Sequence, residues 1–349
     1  MNRLPNQRNM NCNKRKIKPN FVKASENIKE SLKTCGMLLI NTMMIITLQQ
    51  QGSNRKLGEY MDEMLHSIFF LGYIHKDRLT PNDFISTSTI EKLRNKFPEP
   101  FKRYSKDLPT RTPFSILLDM MEILYSTENI KKELLHLLKK LNFPNPLQSP
   151  GSKTEQYYTL ESTVICVCSH LDSHKYYGAS ICCRKGVAKI ILIDLSCLKT
   201  WHEYVSHAVM SFTESADSGE GITFPESLQC QAYFRDWNRN EYKEKSPCSN
   251  CGKLFNLKNA DPQKADHPYG NCAETECLSK LLMISPYLHE NAVIENHTEE
   301  RLEKLKNLTK ARLIKNLRTV DITVTNDKFD FYTPSQMVVS DCCRSTPCF

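Results

Sequence analysis

Residues 163–169 read Thr-Val-Ile-Cys-Val-Cys-Ser, a β-branched apolar run that follows the proline-rich stretch Phe143-Pro-Asn-Pro-Leu-Gln-Ser-Pro-Gly-Ser152. Side chains branched at Cβ are stiff at χ1 and pack well on a pleated surface, so the run predicts a strand. GASICCR at 178–184 and VAKIILID at 187–194 have the same texture and are also read as strands. Leu228–Phe234 and the alternating Val-Asp-Ile-Thr-Val of 320–324 bring the number to five. Helices are expected between them, from Cys197 to Phe212, Ser249 to Leu257, Cys272 to Met283 and Glu299 to Leu317. The last opens on Asn296 and Glu299, spaced as a capping box. Strands interleaved with helices predict a layered α/β domain.

Upstream of the linker the period changes. Leu57, Met61, Met64, Leu65, Ile68 and Phe69 recur at three and four, as do Ile116, Leu117, Met120, Met121 and Leu124, and then Leu134, Leu135, Leu138 and Leu141. That is the spacing of amphipathic helices. The chain is therefore read as an α+β protein in four parts. A basic, disordered arm spans residues 1–24, an α-helical domain 25–142, a Pro/Ser/Gly linker 143–155, and a mixed-sheet α/β domain 156–349.

Hydrophobic content of 40% with 25% charged residues excludes a globally disordered chain. The most apolar stretch, Cys35 to Leu48, contains Asn41 and falls short of the roughly 20 residues that a membrane helix needs. It reads as a buried helix, with no membrane partner. Arg3 and Arg8 are not followed by an apolar segment and a small-residue cleavage site, so no secretory signal is expected. The expected location is intracellular, cytoplasmic or nuclear, where the 15 cysteines would be free thiols or metal ligands. The net charge of +8 is concentrated early, since seven Lys/Arg precede the first acid, Glu26. Such an arm is either a nucleic-acid contact or nuclear address, or a solvated tail.

Two phrases carry the chemistry, Ser246-Pro-Cys-Ser-Asn-Cys251 and Tyr269-Gly-Asn-Cys-Ala-Glu-Thr-Glu-Cys277. Pro247 precedes a Cys-x-x-Cys that opens a helix. Two thiolates at that spacing reach one tetrahedral ion, and the helix dipole favours their charged form. Cys272 and Glu274 open a second helix. A third thiolate from its N-terminus would leave the fourth position of a Zn2+ ion open. The closed alternative is a structural four-cysteine site of Cys248, Cys251, Cys272 and Cys277 in a non-enzymatic binding module. A Cys277 five residues past Cys272 is rotated away from it on a helix, which favours the open set.

Both phrases resemble the zinc signature of the cytidine deaminase superfamily, in its nucleoside cytidine deaminase and AID/APOBEC-type branches. Here Pro-Cys-x-x-Cys precedes Cys-Ala-Glu, the reverse of the familiar order. The resemblance implies a deaminase-like fold, a zinc-dependent hydrolase, and a cytosine-type substrate in a nucleoside, nucleotide or single-stranded nucleic acid. It implies Cys248, Cys251 and Cys272 as metal ligands, Glu274 as the catalytic proton shuttle, and backbone groups of Ala273 and Ser246 at the substrate edge. A second Cys/His-x-Glu triplet, His297-Thr-Glu299, is the next candidate. Cys166, Cys168, Cys182, Cys183, Cys197 and Cys230 are read as small buried hydrophobes. Tyr233 and Trp237 are read either as base-stacking or as packing residues.

Overall fold

The computed structural model describes residues 19–49, 55–144, 159–171, 174–183, 186–216, 218–324 and 328–334. Residues 1–18 of the basic arm, most of the linker, and Cys342, Cys343 and Cys348 lie outside the described residues. Seven helices come first: α1 (Pro19–Gln49), α2 (Arg55–Tyr73), α3 (Pro81–Phe84), α4 (Thr87–Lys96), α5 (Pro98–Arg103), α6 (Pro113–Leu124) and α7 (Ile130–Leu141). The α+β architecture follows with β1 (Val164–His170), β2 (Tyr176–Ala179), α8 (Val187–Leu195), α9 (Glu203–Glu214), β3 (Ile222–Thr223), β4 (Leu228–Asp236) and β5 (Glu241–Lys245). The chain continues through α10 (Ser249–Phe255), α11 (Ala273–Ile284), α12 (Pro286–Asn291), β6 (Val293–Ile294) and α13 (Glu299–Thr319).

Helix starts follow local chemistry. Thr112 accepts a hydrogen bond from the Ser115 amide and Pro113 opens α6, a position where the missing N–H costs nothing. Ser285 and Pro286 repeat the arrangement at α12. Within α1, Glu26–Gln49 is long and apolar enough to cross a membrane by length and composition. In this fold Leu32, Leu39, Ile40 and Met43 of that span are fully buried, and α1 packs on α2.

Four strands form one sheet in the order β2-β1-β4-β5, each pair antiparallel. β3 and β6 make a separate two-stranded ribbon. α11 lies against β1, β2 and β4, and α6 against β2. Closest approach is at Gly178, where an added Cβ would sit 2.4 Å from the Cys277 amide nitrogen. Only glycine lets the two backbones meet there. The helical region and the sheet share one continuous hydrophobic cluster, from Ile28 to Ile322.

Several elements differ from the sequence reading. Val187–Leu195 is helix rather than strand, opened by Gly186 at φ +110 and buried through Ile191, Leu192, Ile193 and Leu195. A short continuous apolar run suits a buried helix and a buried strand equally. Residues 320–324 form no strand, because Asp321 turns at φ +56 and the Ile322 amide bonds back to Leu317. The helix expected from Cys197 splits into a π-turn at Ser196–Thr200 and α9. α13 is capped by Thr298 rather than Asn296, which sits at φ +55. β5, which sequence alone did not suggest, pairs with the end of β4, and α1 begins at Pro19, inside the stretch read as disordered.

Buried charges lock α11 to the helical region. Glu276 accepts hydrogen bonds from the Ala179 amide at 2.8 Å and from Ser115 Oγ at 3.0 Å. Lys280 pairs with Asp119, lies 3.7 Å from Glu122, and donates to the Tyr177 carbonyl at 2.8 Å. Asp119 is also held by Arg111, which pairs with Glu63. Charges this deep persist only when paired and hydrogen-bonded. The network therefore sets the rotation of α11 about its own axis.

Candidate metal centre

Cys248 is the N-cap of α10 and Cys272 the N-cap of α11, both with extended backbone. Cys251 lies one turn into α10 and is fully buried. The Cys248 Sγ is 3.6 Å from the Cys251 Sγ and 3.4 Å from the Cys272 Sγ. Zinc–sulfur bonds of about 2.3 Å put tetrahedral ligands about 3.8 Å apart, so three thiolates at this spacing fit one ion. Hydrogen bonds from Cys251 and Cys272 hold the Cys248 thiol well below its usual range, while the same contacts push Cys251 up and, with burial, Cys272 as well.

A fourth donor comes from a residue that the sequence reading did not single out. His267 lies with Nε2 at 3.8 Å and Nδ1 at 3.9 Å from the Cys272 Sγ. It reaches the cluster because the chain reverses between His267 and Cys272. Asn271 N bonds to Pro268 O at 3.3 Å, and Gly270 adopts φ +84. The same loop is pinned over α10, where Asn250 Nδ2 donates to the His267 carbonyl at 2.9 Å and Ser249 Oγ accepts from Ala265 N at 2.9 Å. Hydrogen bonding to Cys248 and the charge of its thiolate raise the His267 pKa. The donor set of soft thiolates and an imidazole is the one zinc prefers.

Glu274 sits in the first turn of α11 and is 4% exposed. A carboxylate oxygen lies within 4.8 Å of both the Cys251 and Cys272 sulfurs. Burial first, then the charges of Cys230 and Cys248, push its pKa to about 7. A cavity of about 440 Å3 opens onto it, lined by Cys248, His267, Cys272, Ala273 and Glu274 together with polar Ser180, Lys245 and Asn271. That volume is within the range of small-molecule sites.

No family model matches this chain, nor does any curated protein or solved structure at a significant level.

The cluster of Cys248, His267 and Cys272, with Cys251 and Glu274 beside it, is able to hold a metal ion. Of the residues singled out by sequence, Cys248, Cys251, Cys272, Ala273 and Glu274 converge, while Ser246 lines the adjacent groove of about 590 Å3 instead. Cys277 is not part of the cluster. Its thiol donates to the carbonyls of Tyr176 at 3.1 Å and Cys166 at 3.5 Å, on the sheet side of α11. The closed four-cysteine set is therefore not the one that this fold assembles. His297 packs against the rings of Tyr204 and His207, and Glu299 is exposed. Tyr233 lies under the Lys131 ammonium at 3.8 Å, and Trp237 packs edge-on against Phe234. His170 stacks on Tyr287.

Proposed function

We propose that this protein is a zinc-dependent hydrolase that removes the amino group from a cytosine-type base in a nucleoside, a nucleotide or a single-stranded nucleic acid. The observation that carries the reading is a buried carboxylate, Glu274, beside three converging thiols and facing a cavity of about 440 Å3. When bound, zinc supplies Lewis acidity that brings the pKa of a water to about 7. Cys248, Cys251 and Cys272 would hold the ion, and Glu274 would accept a proton from the attacking water and deliver it to the ring nitrogen as the water oxygen bonds to C4. It then takes the proton of the hydroxyl now on C4 and gives it to the amine as the C4–N bond breaks, leaving a C4 carbonyl and releasing ammonia. Lys245, Ser180, Asn271 and the backbone at Ala273 offer polar groups to the base and its ribose. For a single-stranded substrate, Lys131, Lys132 and Lys139, which line a groove beside β5, and the basic charge of the N-terminal arm would be available to phosphates. A reducing cytoplasm or nucleus keeps the thiols available.

The test is ammonia release or C-to-U conversion on cytidine, deoxycytidine, their phosphates and cytosine-containing single strands, with Glu274→Gln run beside the wild type. Activity in the wild type that survives in Glu274→Gln places the proton shuttle elsewhere. A zinc-loaded wild type that is inactive on every substrate refutes the reading.

His267 favours a second reading, a closed Cys3His site in a non-enzymatic binding module. Its Nε2 and Nδ1 lie 3.8 Å and 3.9 Å from the Cys272 sulfur, and a ring nitrogen is within 4.8 Å of both the Cys248 and Cys272 sulfurs. His267→Ala separates the two. A metal retained in that variant belongs to the open site, and a metal lost with it belongs to the closed one.

A further inference from the structure

Beneath α11 lies a second convergence of thiols. Cys166 and Cys168, two apart on β1, project from the same face of the strand. Cys230 on β4 stands directly opposite Cys168 in the antiparallel register. The Cys168 and Cys230 sulfurs are 3.3 Å apart, Cys166 and Cys230 3.6 Å, and Cys166 and Cys168 3.7 Å. All three ligand atoms lie within 4.8 Å of one another. Cys277 descends from α11 toward the same sheet, where its thiol donates to the carbonyls of Tyr176 at 3.1 Å and Cys166 at 3.5 Å. The contact at Gly178 brings it there.

We propose that Cys166, Cys168 and Cys230 form a second metal site for a soft ion, zinc. These three separations are close to the roughly 3.8 Å edge of a tetrahedral zinc–thiolate site. Three sulfurs gathered from two neighbouring strands form a donor set that selects zinc or another thiophilic ion over hard cations. An entry path exists, because Cys230 is half-buried and lines the groove of about 590 Å3 beside Leu228, Pro247 and Phe255. Binding displaces the thiol protons to solvent and ties β1 and β4 to one ion. Cys166 and Cys168 are also fully buried in the core, as their reading as small buried hydrophobes expects.

The experiment is zinc content by mass spectrometry on the full chain, with circular dichroism as the fold control. Cys248→Ser/Cys251→Ser should keep about one zinc. After exchange, cobalt(II) in that variant should show intense thiolate-to-metal charge transfer. Adding Cys230→Ala should abolish both signals. Metal that survives the double variant and goes with Cys230→Ala supports this site whatever becomes of the first. Cys166 and Cys168 are fully buried and risk the fold, so half-buried Cys230 carries the test. In the otherwise intact chain, Cys230→Ala should lose one equivalent and retain the other. A folded Cys248→Ser/Cys251→Ser protein without zinc or cobalt overturns the proposal. So does a Cys230→Ala protein with its full metal content, or a Cys168–Cys230 disulfide in the freshly isolated wild type.

Discussion

Glu274 lies beside the Cys251 and Cys272 sulfurs and His267 beside those of Cys248 and Cys272, and one substitution at each separates chemistry from ligation. Glu274→Gln keeps the shape of the side chain but cannot carry a proton, so zinc content should be unchanged. Deaminase activity should fall roughly 10²–10⁴-fold, the usual loss on removing a general acid/base, as read by initial rates of ammonia release. Equal rates would exclude Glu274 as the shuttle. The two phrases that supply Glu274 and the thiols were legible because Cys-x-x-Cys and Cys-Ala-Glu at helix starts need only local spacing. His267 was not, because its proximity depends on the reversal at Pro268–Asn271 and on Asn250 holding its carbonyl. The sole local hint was Pro268-Tyr-Gly270, a turn signal placed between a histidine and a cysteine. Cys166, Cys168 and Cys230 were hidden for a similar reason, since the register of β1 on β4 cannot be read from either strand alone.

At the scale of elements, α11 is the part on which the rest depends, and two changes away from the metal test this. Gly178→Ala would push a methyl into the Cys277 backbone. Such overpacking costs about 1–3 kcal/mol, and here it should also lower zinc retention against a chelator by shifting Cys272. Unchanged retention would show that the α11–β2 contact does not set the site. Asp119→Ala strips Lys280 and Arg111 of a shared partner and should cost about 3–5 kcal/mol, as breaking a buried pair does. Urea melts would show it, and a loss under 1 kcal/mol would contradict this role for the network. Elements with a clear helical period, such as α2, α6 and α7, were legible in sequence, whereas α8 was not. Its apolar side chains surround the helix instead of lying on one stripe, and Asp194 is carried inside to meet Arg312. β5 was missed because its Glu-Tyr-Lys-Glu-Lys alternation is largely solvated and reads as a loop.

For the molecule as a whole, buried ionisable groups set a pH window of stability. Burial raises Glu122 to about 7 against the pull of Lys280, and raises Asp194 to about 6 against Arg312. Carboxyls raised in this way favour the folded state most below their unfolded values near 4, and that advantage is lost as pH rises through about 6 to 7. His66 opposes them. Burial lowers it to about 3, so its contribution is present above about 6.5 and lost as pH falls. Glu122→Gln should therefore match the wild type near pH 5 and exceed it at pH 8, by at most about 3 kcal/mol. Urea melts at the two pH values measure this, and a difference independent of pH would contradict it. The alternation of a helical region with a strand-bearing one was visible in sequence. What was not visible is how closely the two are joined, through Ser115–Glu276, Asp119–Lys280 and the return of Tyr332 to Asp62. Those contacts link residues 161 to 270 positions apart, beyond the reach of any local pattern. The most direct test of the account is the zinc content of Cys272→Ser beside the wild type, both folded and both dialysed against chelator. The variant should carry one zinc fewer per chain, and equal content in the two would contradict a metal centre at the ends of α10 and α11.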